Sequence, residues 1–170
     1  MEYLENAYKR EGVKLYLDTP EEIAQQHMIM KMFDDVASVL FEVIMSHGQS
    51  KTAIEKLHKY FTKIENLLKD SQTGFFMNQQ KYTMIDIYGM PHTSRVFYLQ
   101  GSALNKVYEE NQFEQKYPLL KQWVFQMRSQ PELKEETGGV IIIKAFHNWI
   151  EELVTMPVGT KPPLRIPMKL

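Results

Sequence analysis

Residues 82–99 constrain the fold of this chain more than any other stretch. Thr83-Met84-Ile85-Asp86 has the S/T-x-x-D order of a helix capping box. There the Thr hydroxyl accepts from a backbone N–H of the first turn, and the carboxylate accepts from the cap residue's own N–H. Tyr82 and Ile87 occupy the N′ and N4 positions of a hydrophobic staple around it. The helix so begun carries Met84, Ile85, Ile87, Tyr88, Met90, Val96, Phe97 and Leu99, apolar on every side, with Pro91 inside. A helix with no wet face belongs in the middle of a domain. Pro91 removes one backbone hydrogen bond from it.

Elements on either side must then cover that helix, and the sequence supplies them as helices. Asp18-Thr19-Pro20-Glu21-Glu22 reads as a helix start, with Pro in the first turn and acids at the positive end of the dipole. The helix runs over about 20–46, with Ile29, Phe33, Val36, Leu40, Val43 and Ile44 inward and Lys31, Asp34, Asp35, Ser38 and Glu42 outward. Met28, Met30, Met32 and Met45 read as adaptable core filler or pocket wall. After the turn 47–50, Ile54, Leu57, Phe61, Ile64 and Leu68 step by three and four through a second helix, completing a helical hairpin. Residues 70–81 read as loop and 100–116 as polar and irregular. Tyr117-Pro118 opens a helix with Leu120, Trp123, Val124 and Met127 inward, stopped at Pro131 by a short acidic turn. Val140–Val154 begins like a strand, but Ala145, Phe146, Trp149, Ile150 and Leu153 have helical spacing. The sum is an all-α bundle of six to seven helices, without a convincing strand.

Composition narrows the chemistry. The chain has 170 residues, a net charge of −1 and no cysteine. Disulfides, thiolate catalysis by this chain and Cys-based zinc sites are excluded. The charge balance gives no reason to expect nucleic acid or an anionic membrane as partner. No apolar run approaches the length of a membrane span. His27, His47, His58, His92 and His147 show no ligand spacing, so no metal site is expected. Neither a Gly-rich phosphate loop nor a nucleophile elbow is present. Read this way, the residues describe a fold without catalytic apparatus.

Glu2-Tyr3-Leu4-Glu5, Leu15 and Asp18-Thr19-Pro20 resemble the passage from first to second domain of the cytosolic glutathione transferases. Phe75-Phe76 with Thr83-Met84-Ile85-Asp86 and Pro91 resembles that family's capped sixth helix. Tyr117-Pro118-Leu119-Leu120-Lys121-Gln122-Trp123, Met127 and Pro131 resemble the helix after it. The omega class is the most similar, through Ala24, Gln26, Met28, Phe33, Val36 and Phe61-Thr62-Lys63-Ile64-Glu65. The resemblance covers about residues 2–150.

In that family a thioredoxin-like half binds glutathione and carries the catalytic residue, a cysteine in the omega class. An all-helical half forms most of the pocket for a second, apolar substrate. The resemblance therefore implies that residues 1–17 are a remnant of the last thioredoxin-like helix plus linker. Residues 18–154 would be the helical domain and 155–170 a Pro-rich tail. It also implies a cytoplasmic protein whose cosubstrate is glutathione and whose partner is a small electrophile or thiol. Its activity would be thiol transfer or dehydroascorbate reduction, with no catalytic residue in this chain and no activity expected of it alone. Matching assigns Ala37, Leu40, Phe41, Ile44 and Arg95 to the substrate pocket. Ile143 and Ile150 stand where omega-like members tend to carry aromatic pocket residues. The alternative is a non-catalytic helical interaction module. Its exposed inter-domain face, with Tyr3, Leu4 and Tyr8, would be covered by a second copy or another protein.

Overall fold

The computed structural model describes residues 14–134 and 139–160. These form helices α1 (Pro20–Met45), α2 (Lys51–Lys69), α3 (Met84–Phe97), α4 (Asn105–Asn111), α5 (Phe113–Lys116), α6 (Pro118–Arg128), α7 (Pro131–Lys134) and α8 (Gly139–Val154), with one 3-10 turn at Phe76–Asn78. Among the described residues there is no strand. Tyr3, Leu4, Tyr8 and most of the Pro-rich tail lie outside the described residues.

Helix α1 packs against both α2 and α3, α6 closes the group against α2 and α3, and α8 touches α1. Apart from Ile54, the inward positions read from spacing are the buried ones: Ile29, Phe33, Val36, Leu40, Val43 and Ile44 on α1, Leu57, Phe61, Ile64 and Leu68 on α2, and Leu120, Trp123, Val124 and Met127 on α6. Central helix α3 buries Met84, Ile85, Asp86, Gly89, Met90, Thr93, Ser94 and Val96. At Gly89 a Cβ would meet the Phe33 ring at 2.4 Å, so α1 and α3 approach this closely only because the residue is glycine. Phe33 then stacks on Trp123 (centroids 5.9 Å) and meets Phe76 edge-on (5.7 Å).

Local sequence dictates where the helices begin. Thr19 caps α1 in a box with Glu22, its N–H donating to the Glu22 carboxylate at 3.1 Å and its Oγ1 accepting from the Glu22 N–H at 3.2 Å. Thr83 and Asp86 form the second box. Its carboxylate half is short, with Thr83 N–H donating to Asp86 Oδ2 at 2.8 Å. Tyr82 is buried with its ring edge on Phe75 (6.5 Å), and Ile87 packs half-buried against the core. Helix α6 is capped from a distance, because buried Glu65 on α2 accepts from the N–H groups of Leu119 (3.0 Å) and Leu120 (2.8 Å). Buried Gln26 clamps the chain before α1, accepting from Leu17 N–H (3.1 Å) and donating to the Leu15 carbonyl (3.2 Å).

Three expectations require correction. The segment 100–116 is not irregular: it holds α4 and α5, separated by Gln112 in a left-handed conformation (φ 53°). Tertiary bonds support them: His58 Nε2–H donates to Asn111 Oδ1 at 3.0 Å, and its Nδ1 accepts from Tyr117 at 2.7 Å. Ile54, read as inward on α2, is only half-buried, while the short acidic turn expected from Pro131 is the helical turn α7. Met28 is 72% exposed and fills no core.

Candidate functional site

Ala37, Leu40, Phe41 and Ile44 recur at steps of three and four, so they share one face of α1. His92 and Arg95 are three apart near the C-terminal end of α3, and Phe146 and Trp149 are three apart on α8. These eight residues line one cavity of about 260 Å³. All five residues assigned to a pocket by resemblance therefore come together. Leu40 and Ile44 are buried in its floor, and Phe41 is 48% exposed at its mouth.

The lining is apolar except for His92 and Arg95. Arg95 is exposed, rather than enclosed by apolar neighbours as its sequence context suggests, and among the described residues it makes no ion pair. Its cation is thus available to whatever enters the cavity. His92 Nδ1 is buried and has no hydrogen-bond partner, as does the Thr93 hydroxyl beside it. A buried polar atom left unpaired costs about 1–3 kcal/mol. Burial pushes the His92 ring below its ordinary pKa, and the Arg95 charge pushes it the same way against the weaker opposing pull of Asp34. Asp34 itself accepts a hydrogen bond from the Tyr88 hydroxyl, and the Tyr88 ring meets His92 edge-on at 5.4 Å.

The aromatic wall is held by α8. His147 Nε2 donates to the Tyr98 carbonyl just past α3 at 2.8 Å, and Ile150 and Leu153 enter the core. Phe146 and Trp149 are left facing each other at 6.0 Å. The pocket wall thus does hold aromatic residues, although Ile143 and Ile150 stand at the positions that the resemblance matches to them. Ile150 is fully buried in the core, and the neighbouring turn supplies the rings.

Two functional-looking features were invisible to motif reading. His92 shows no metal-ligand spacing, and its only signal is that it shares a helix face with Arg95. Asp86 reads as a cap alone, yet Trp123 Nε1–H donates to it at 2.9 Å and the Phe76 N–H at 3.3 Å. Its hydrogen-bonding capacity is spent inside the fold.

Residues 34–135 match the glutathione S-transferase C-terminal domain family. That match spans most of the bundle and both polar lining residues. The chain belongs to this family. Glutathione S-transferase omega-1 of Rattus norvegicus is 31% identical over 132 residues, covering 76% of this chain and 50% of that protein. The Sus scrofa omega-1 protein is 30% identical over the same coverage. The chain spans about half the length of these relatives. A glutathione S-transferase C-terminal domain is all-helical, as found here. Among the described residues no group of His, Asp or Glu could hold a metal ion, and no helix is long and apolar enough to cross a membrane.

Proposed function

We propose that this chain is the substrate-pocket domain of an omega-like glutathione transferase, receiving the apolar partner of glutathione in the cavity between α1, α3 and α8. The observation that supports this reading is the convergence of Leu40, Ile44, Phe146 and Trp149 on one cavity edged by the unpaired Arg95. Such a cavity, mostly apolar with few polar groups, is the usual form of a small-molecule site.

The residues fit the second substrate better than glutathione. A tripeptide needs several backbone-like donors and acceptors, and this lining offers only His92 and Arg95. When bound, glutathione supplies the thiol that attacks or reduces the partner. The chain's own contribution is to desolvate and orient the apolar group. Having no cysteine, these 170 residues contain no protein thiol of their own for the thiol-transfer cycle of the omega class. A nucleophile for that cycle comes from outside them.

Calorimetric titration with glutathione and with S-hexylglutathione tests the reading, together with a thiol-transfer assay. The hexyl arm seeks the cavity, so S-hexylglutathione binds at least tenfold more tightly than glutathione, and the isolated chain gives no turnover. Equal binding of the two removes the pocket reading. Glutathione-dependent turnover by this chain removes the claim that the nucleophile lies elsewhere. The alternative, a non-catalytic interaction module, has the 75% exposed Phe125 on α6 in its favour. It is preferred if neither ligand binds and Phe125→Ser abolishes self-association.

A further inference from the structure

We propose that a second cavity, between the C-terminal end of α2, the turn 70–74 and α6, binds an uncharged sugar ring. It shares no lining residue with the cavity beside Arg95 and does not rest on the function proposed for that one. Its volume is about 200 Å³. That is below the range of drug-sized sites, so a single ring fits and a chain of them does not. Leu119, Gln122 and Gln126 recur at steps of three and four on α6, so they share the face that forms one wall. The turn opposite is fixed before anything binds. Gly74 is left-handed (φ 80°), Ser71 Oγ accepts from its N–H at 3.1 Å, and Gln126 Nε2 donates to the Thr73 carbonyl at 3.2 Å. A preformed rim lowers the ordering cost of taking a ligand. Gln72 and Gln122 are exposed, and among the described residues their side-chain amides have no hydrogen-bond partner.

The ligand class follows from the lining, which is polar but carries no ionisable side chain. A charged ligand would give up water there and gain no counter-charge. An anion would also approach the Glu65 carboxylate, which already accepts from the N–H groups of Leu119 and Leu120 at the cavity edge. The amides of Gln72 and Gln122 and the hydroxyls of Ser71 and Thr73 each both donate and accept. The hydroxyls of a sugar do the same, so their contacts with this rim pair in either direction. Leu68 and Trp123, both buried, give the floor an apolar surface for the C–H face of the ring.

The test titrates three ring probes into the full chain: methyl β-D-glucopyranoside, the glucuronide of the same ring, and cyclohexanol. The glutamine side-chain amide signals and the Trp123 indole signal are followed in a proton–nitrogen correlation spectrum. The glucoside should shift the Gln72 and Gln122 amides in a saturable manner and bind at least fivefold more tightly than either other probe. Gln72→Ala and Gln122→Ala, both at exposed positions, should each weaken the glucoside by threefold or more, and the double variant should lose saturable binding. An unliganded spectrum in which the Trp123 indole keeps its wild-type position shows that the variants are folded. Absence of a saturable shift with the glucoside overturns the inference. So does glucuronide or cyclohexanol binding within twofold of the glucoside, and so does glucoside binding that survives the double variant. Each of these results leaves the cavity beside Arg95 untouched, because no lining residue is shared.

Discussion

The two ends of α3 use polar residues in opposite ways. At the N-terminal end, Asp86 is fully buried and accepts from Thr83 N–H, Thr83 Oγ1, Trp123 Nε1–H and Phe76 N–H. Every donor belongs to this chain, so nothing is left for a ligand. At the C-terminal end, Arg95 has no ion pair among the described residues and His92 Nδ1 has no hydrogen-bond partner. A satisfied buried carboxyl fixes a fold, whereas an exposed cation without an ion pair at a cavity wall is open to something from outside. The conspicuous motif of the sequence is therefore the structural one.

Breaking the satisfied end has the largest expected effect. Asp86→Ala strands the Trp123 indole N–H and two backbone N–H groups in the core, and should cost about 3–5 kcal/mol of stability by urea denaturation. Gly89→Ala forces a methyl group toward the Phe33 ring, and should cost about 1–3 kcal/mol in the same measurement. The exposed Thr19–Glu22 box isolates the cap from the burial. Glu22→Ala there should cost about 0.5–1 kcal/mol, far less than the buried counterpart. Arg95→Ala belongs to the open end and should change stability by less than about 0.5 kcal/mol. A large loss there would make Arg95 a structural residue and erase the contrast.

Titration sharpens the same comparison. Burial pushes the Asp86 carboxyl above its ordinary value of 3.8, while the bonds from Thr83, Trp123 and Phe76 offset part of that push. Between the ordinary and the raised value, the folded chain holds a proton that the unfolded chain has released. This contribution to stability is therefore complete below the ordinary value and lost as pH rises through the folded one. Relative to Asp86→Asn, the wild type should lose stability as pH rises above about 4. A wild type that gains on the variant over that range would mean that the hydrogen bonds outweigh burial.

Much of this fold is legible in the sequence, because long amphipathic helices announce themselves by spacing. Phe33, Leu57 and Trp123 needed no more than a three-four pattern. The short α4 and α5 were not legible, since seven and four residues carry too little periodicity to read. Their support comes from distant groups such as His58. The pocket was half legible. The α1 face and Arg95 could be matched, but His92 and the Phe146–Trp149 pair depend on how α8 docks. Trp149 in the cavity wall and Ile150 in the core are consecutive residues, and only the packing of α8 decides between them.

The chain's two tryptophans offer the most direct test, because Trp123 marks the satisfied end of α3 and Trp149 the cavity. In a proton–nitrogen correlation spectrum their indole N–H groups give separate signals, and 1-octanol serves as an uncharged apolar probe. The account predicts that 1-octanol shifts the Trp149 indole signal in a saturable manner and leaves the Trp123 signal in place. A shift confined to Trp123, or none at either indole, would contradict the claim that the cavity beside Arg95 is the ligand site.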